Sequence, residues 1–213
     1  MDEAHQETEA HLHIGKEAIN SLPLRAYDGP MEVVKTPQEL KRALHALKGE
    51  RLLGFDTETR PAFKKGVSYS PALLQLASSR SVYILQLKQI GEMDGLNHLL
   101  ADPGVVKAGV SLAYDVKKLL EVIRFRPAGF VEVEALAKSL HIQNAGLRGL
   151  AALLMGVRIS KASRTSNWEN PVLTQAQVIY AATDAWVSRE LYLRLVGMGG
   201  TIPPPSPKPE PEL

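Results

Sequence analysis

Apolar residues run in short blocks through the first half of the chain and recur at helical spacing through the second. MEVVK (31–35) reads as a strand. In Thr36-Pro37-Gln38-Glu39 the Thr is placed as N-cap, the Pro at the first helical position and the Glu at the third, which opens a helix to about residue 48. RLLGFDTE (51–58) is a buried strand whose end turns acidic. PALLQLAS and SVYILQL, joined by a short Ser/Arg turn, read as an antiparallel pair, and VVKAGV (105–110) adds a further buried strand. A helix is predicted over 115–125, followed by a short apolar segment, FVEVEALAKSL. LRGLAALLMG reads as a short helix stopped at Gly156, and RISKASRTSNWEN as a polar connection. The closing helix runs from about Thr174, with Gln177 completing a capping box, to about Val196. A mixed sheet first and helices afterwards predicts an α/β domain, and no glycine-rich nucleotide fingerprint accompanies it.

The ends differ in character from this core. Residues 1–20 are polar and His-bearing and 201–213 are proline-rich, so both are expected to be mobile tails flanking a domain over 21–200. His5, His11 and His13 lack further ligands around them and are assigned no role.

Composition narrows the function classes only a little. At 213 residues with 45% hydrophobic content the chain suits one well-buried domain. Its 25 basic and 23 acidic residues leave a net charge of +2, so nucleic-acid binding would need basic residues clustered at a site. The lack of cysteine excludes disulfides, zinc–thiolate centres and cysteine nucleophiles. The acidic start is neither a secretory signal nor a transit peptide, and no apolar run approaches membrane-spanning length, which points to a soluble cytoplasmic protein without a membrane partner.

The candidate chemistry lies in acidic residues set within apolar segments. Asp56 and Glu58 are two apart on a strand and share a face, with Thr57 facing the other way. Asp115 opens a helix, where an N-cap or first-turn acid is an equally ordinary role. Tyr180 and Asp184 are one turn apart on the last helix, and Ala181, Ala182 and Ala185 thin the surface beside them. Taken singly each has an ordinary structural explanation; taken together they suit a site for two divalent cations, Mg2+ or Mn2+, acting on a phosphodiester. A phenol with its usual pKa of about 10 is a poor base, so Tyr180 is expected to orient the attacking water.

GFDTET, KAGVSLAYDVKKLL and YAATDAWVSRELY, the last preceded by SNWENP, resemble the three motifs of the DEDDy branch of 3′-5′ exonucleases, which includes ribonuclease D and Werner-type exonuclease domains. The resemblance covers roughly residues 50–196. It implies a ribonuclease H-like fold, a mixed β-sheet flanked by helices, and hydrolysis of RNA or single-stranded DNA from the 3′ end to nucleoside 5′-monophosphates. Asp56, Glu58, Asp115 and Asp184 match the four metal-binding acids, and Tyr180 the tyrosine that names the branch. The resemblance further implies that Asp56 bridges both ions, that Glu58 and Asp184 help hold the water-activating ion, and that Asp115 acts on the leaving-group side. The resemblance does not extend to the downstream helical domain of full-length ribonuclease D or to the helicase of Werner-type proteins, and neither is expected in this chain.

Substrate contacts are expected from Lys64, Lys65, Lys161 and Arg164, where loop-like segments next to the motifs could hold backbone phosphates. Trp168 is a candidate to stack on a base, although a core role that pins its loop to the last helix is the favoured reading. Thr57 and Leu74 are candidates for backbone and apolar contacts to the terminal nucleotide. The partner implied is a nucleic acid 3′ end, and no protein partner can be inferred. A non-catalytic nucleic-acid-binding or scaffold module of the same fold is the competing reading; it predicts loss of at least one acid, and all are present.

Overall fold

The computed structural model describes residues 13–64 and 66–201. Among them the strands β1 (Met31–Val34), β2 (Leu52–Glu58), β3 (Leu73–Ala77), β4 (Val82–Gln86), β5 (Val106–Gly109) and β6 (Phe130–Glu132) form one sheet in the order β1-β4-β3-β2-β5-β6. β3 runs antiparallel to both neighbours, while β1–β4, β2–β5 and β5–β6 are parallel. The fold is therefore a mixed sheet with helices on both faces, as expected.

Strand alternation distributes the core. Leu53 and Phe55 of β2 project with Leu74, Leu76 and Leu85 into one apolar layer, closed by Leu40 and Ala43 of α2 (Pro37–Ala46), Leu96 and Leu100 of α4 (Leu96–Ala101), and Leu119 of α5 (Leu112–Leu119). The other face carries Leu52, Leu73, Ala77, Ile84 and Ala108. There they meet α6 (Val133–Ser139), α7 (Gly146–Met155) and the 23-residue α8 (Gln175–Gly197), whose Ala181, Ala182 and Ala185 are fully buried. Central strand β2 and α8 approach unusually closely. A Cβ on Gly54 would fall 1.9 Å from the Ala185 carbonyl oxygen, so the crossing requires a residue with no side chain.

Local signals set the helix starts well. Thr36 and Glu39 form the expected capping box of α2, Thr174 and Gln177 that of α8, and Gly156 ends α7 in the left-handed region at φ 67°. Other boundaries differ. The helix predicted from Asp115 begins at Leu112 and ends at Leu119, and FVEVEALAKSL divides into β6 and α6. The short helices α3 (Leu87–Ile90) and α4 had no recognised signal. Lys16–Ser21, read as the end of a mobile tail, is instead helix α1, because Asn144 accepts from Ile14 N at 2.8 Å and donates to its carbonyl at 3.0 Å, and Arg148 donates to Asn20 at 2.7 Å. The tail expectations for residues 1–12 and 202–213 lie outside the described residues, and among those described no helix is long and apolar enough to cross a membrane.

Candidate active site

β2 carries Gly54, Asp56 and Glu58 on the face toward α8, and the Gly54–Ala185 contact brings Asp184 beside the two strand carboxylates. One carboxylate oxygen from each of Asp56, Glu58 and Asp184 lies within 4.8 Å of the others. Asp184 and Glu58 are buried, at 8% exposure each, and Asp56 is half-buried. No cation of the protein is paired with these groups among the described ion pairs. Three hard oxygen donors with uncompensated charge are the donor set that Mg2+ or Mn2+ takes, so the residues present fit such an ion.

Asp115 lies in the first turn of α5, as one sequence alternative had it, but it is not the N-cap, which is Ser111. The carboxylate of Glu132 at the end of β6 accepts from the Ser111 and Leu112 amides, at 3.0 and 2.9 Å, and so satisfies the helix start from outside. Asp115 is thereby left to accept a hydrogen bond from the Thr57 hydroxyl at 3.0 Å. Thr57 does face away from Asp56 and Glu58, and its hydroxyl is committed to orienting the fourth acid. Asp115 stands outside the three-carboxylate cluster, yet its charge is still felt by Asp56.

Crowding and burial both resist ionisation here. Burial first, then the charges of Asp184 and Asp115, hold the Asp56 carboxyl well above the usual carboxylate range. Burial, then Asp56 and its neighbours, push Glu58 up to about 10. Burial alone raises Asp184 to about 7, partly offset by a hydrogen bond from Tyr180. Asp115 rises to about 6 through burial, with Glu132 adding to it and the Thr57 hydroxyl opposing it. A divalent cation would reverse these shifts by favouring the charged forms.

Tyr180 stands one turn before Asp184 on the face of α8 that meets the cluster. Burial, then Asp184 and Glu58, raise its phenol pKa, so the hydroxyl stays protonated at neutral pH. Trp168 buttresses it, with ring centroids 5.7 Å apart, and is itself fully buried under α8. The base-stacking expectation for Trp168 is therefore corrected to the core role: it presents no free face. SNWEN is fastened over it by Gln177 donating to the Asn167 carbonyl at 3.2 Å and Gln86 to that of Asn170 at 2.9 Å. Glu169 of the same segment pairs with Arg60 at 3.3 Å and with Lys88. Leu74 is likewise fully buried, on the opposite sheet face, which removes it as an apolar contact for a nucleotide.

The basic candidates separate. Exposed Lys64 lines a cavity of about 520 Å³ with Arg60, Phe63 and Tyr69. Lys161 and Arg164, also exposed, line another of about 420 Å³ that opens on Tyr180 and Asp184. Lys65 lies outside the described residues. The sequence reading missed Gln75, which pairs across the ladder with Asp56 and is fully buried with neither side-chain atom hydrogen-bonded. Its signal was a lone amide in the apolar strand ALLQLA.

Comparison with known proteins bears on the family and the fold. A family model described as 3′-5′ exonuclease matches residues 31–199. The mouse bifunctional 3′-5′ exonuclease/ATP-dependent helicase WRN is 34% identical over 156 residues, covering 70% of this chain and 11% of that protein. Ribonuclease D of Gluconacetobacter diazotrophicus is 30% identical over 168 residues, covering 77% of this chain and 42% of that protein. The chain thus spans less than half the length of either relative. Among solved structures, the EXO domain of Aedes aegypti Nibbler shares the fold, with a TM-score of 0.71 at 20% identity, covering 82% of this chain and 91% of that one.

Proposed function

The chain belongs to the 3′-5′ exonuclease family, and from that premise we propose that it hydrolyses phosphodiester bonds of RNA or single-stranded DNA from the 3′ end, releasing nucleoside 5′-monophosphates. The observation that carries the reading is the convergence of Asp56, Glu58 and Asp184 oxygens within 4.8 Å beside a protonated Tyr180. Mg2+ or Mn2+, two ions in the complete site, would be held by these three carboxylates and by Asp115. When bound, such cations supply Lewis acidity toward the phosphate and the water.

The protein's own groups supply position. Asp56 and Glu58 are fixed by the ladder between β2 and β3, and Asp184 by the packing of α8 on Gly54. Thr57 fixes the rotamer of Asp115 through its hydroxyl. Tyr180 keeps its proton, so its role is to orient the attacking water by hydrogen bonding, while Trp168 holds its ring in place. Water adds to phosphorus and gives up a proton, the bond to the 3′ oxygen of the penultimate nucleotide breaks, and that oxygen takes up a proton from solvent as it leaves.

Asp56→Asn tests the assignment. It keeps shape and removes one ligand charge, so metal-dependent release of mononucleotides should fall by at least ~100-fold with the fold retained. Retained turnover in the variant would refute the assignment of Asp56, whereas a wild type that binds but does not turn over would favour a nucleic-acid-binding module that uses the fold without the chemistry.

A further inference from the structure

The described residues before the family-matched region are tied to the catalytic face from Ile14 to Tyr27. Ile14 exchanges two hydrogen bonds with Asn144, and Arg148 reaches Asn20. Arg158 donates through its Nε to the Leu22 carbonyl at 2.9 Å and through its amide to that of Pro23 at 3.0 Å, and its own carbonyl accepts from Arg25 N at 2.9 Å. Tyr27 N then donates to the Thr183 hydroxyl at 2.9 Å, one residue from Asp184. The segment thus crosses from the start of α7 to the middle of α8.

Two hollows lie beneath it. The one of about 420 Å³ is lined by Lys16 of α1 and by Arg148, Lys161 and Arg164, with Asp184 as the sole acidic residue among the described lining. Its neighbour, about 280 Å³, is walled by Leu24, Ala26, Ala162, Ala176 and Ile179, with Arg25 at its edge. They share Ser160, Tyr180 and Asp184. A cationic hollow and an apolar one meeting at the reactive groups match the two halves of a nucleotide, the anionic phosphate and the flat base.

We propose that the segment 14–27 is a substrate clamp, in which Lys16, with Arg148, Lys161 and Arg164, binds backbone phosphates of a single strand at Tyr180 and Asp184, and the hollow under Leu24 takes a base. The clamp rests on the nuclease reading. Lys16 is exposed and makes no ion pair among the described residues, so its charge is available to an incoming strand.

The test compares Lys16→Glu, Leu24→Asp and Lys41→Glu with the unaltered chain. Lys41 is an exposed residue of α2, which packs on the opposite face of the sheet, and its reversal makes the same change in net charge. A 5′-labelled single-stranded 12-mer is the probe, read by anisotropy in chelator and by turnover in Mn2+. The clamp predicts KM and Kd raised about tenfold by Lys16→Glu, with kcat within about twofold, and a salt slope smaller by about one. Leu24→Asp should weaken binding, and Lys41→Glu should do neither. Equal effects of Lys16→Glu and Lys41→Glu, or none from Lys16→Glu and Leu24→Asp, would overturn the clamp. Wild-type binding without turnover in Mn2+ would instead remove the nuclease reading, and the Kd comparison would still decide the clamp.

Discussion

Gly54 in β2 lies against the carbonyl of Ala185 in α8, so close that a methyl group at residue 54 would fall 1.9 Å from that oxygen. Two residues along the strand is Asp56, and one residue back along the helix is Asp184. The absence of a side chain at 54 therefore sets the distance between carboxylates from two different elements. Gly54→Ala should force α8 outward, lowering stability by about 1–3 kcal/mol and metal affinity by more than stability alone explains. Denaturant midpoints together with Mn2+ titration calorimetry check this. An alanine variant with wild-type values in both would show that the crossing tolerates expansion.

The shifted acids make metal-free stability depend on pH. Asp184 titrates near 7 and Asp115 near 6 in the folded chain, both above their ordinary 3.8. A raised carboxyl pKa means the folded state holds more protons than the unfolded one, so stability present below about pH 4 is lost as pH rises toward 7. Glu39, Glu121 and Glu169, whose pKa values are lowered, act in the opposite sense and mask the trend in the wild type alone. The difference between wild type and Asp184→Asn cancels them. In chelator the variant's stability relative to wild type should increase from pH 4.5 to 7.5, and saturating Mn2+ should reverse the order at pH 7.5. A pH-independent difference would mean that Asp184 ionises as readily in the site as in water.

Trp168 and Tyr180 separate a packing role from a chemical one. Trp168→Ala should cost about 3–5 kcal/mol of stability, as large buried aromatics do, while Trp168→Phe keeps most oligonucleotide affinity. Tyr180→Phe should leave stability and KM near wild type and lower kcat, since only a water-orienting hydroxyl is lost. Loss of affinity in Trp168→Phe without loss of stability would restore the base-stacking role. An unchanged kcat in Tyr180→Phe would take the hydroxyl out of the reaction.

What the sequence made legible follows the range of each interaction. The capping boxes at Thr36 and Thr174 and the stop at Gly156 involve neighbours within a turn, and they could be read directly. Asp56 with Glu58, and Tyr180 with Asp184, share faces by local periodicity alone. The start of α5 was misread because its cap comes from Glu132, some 20 residues later in the chain. Helix α1 escaped notice for the same reason: it is held by Asn144 and Arg148, 128 to 130 residues away. For Trp168 the sequence favours a core role but does not show what covers it, which is α8. Leu74 was misplaced because an apolar strand buried on both faces gives no sign of which side a residue takes.

The four acids and Tyr180 are proposed to form a metal-dependent site that acts from a 3′ end. This is tested most directly by a time course on matched 5′-labelled RNA, single-stranded DNA and recessed duplex, in Mg2+, in Mn2+ and in chelator. In metal a ladder that shortens one nucleotide at a time from the 3′ end is expected, abolished by chelator, with the relative rates naming the substrate. Intact labelled strands in both metals, under conditions where the protein binds them, would contradict it.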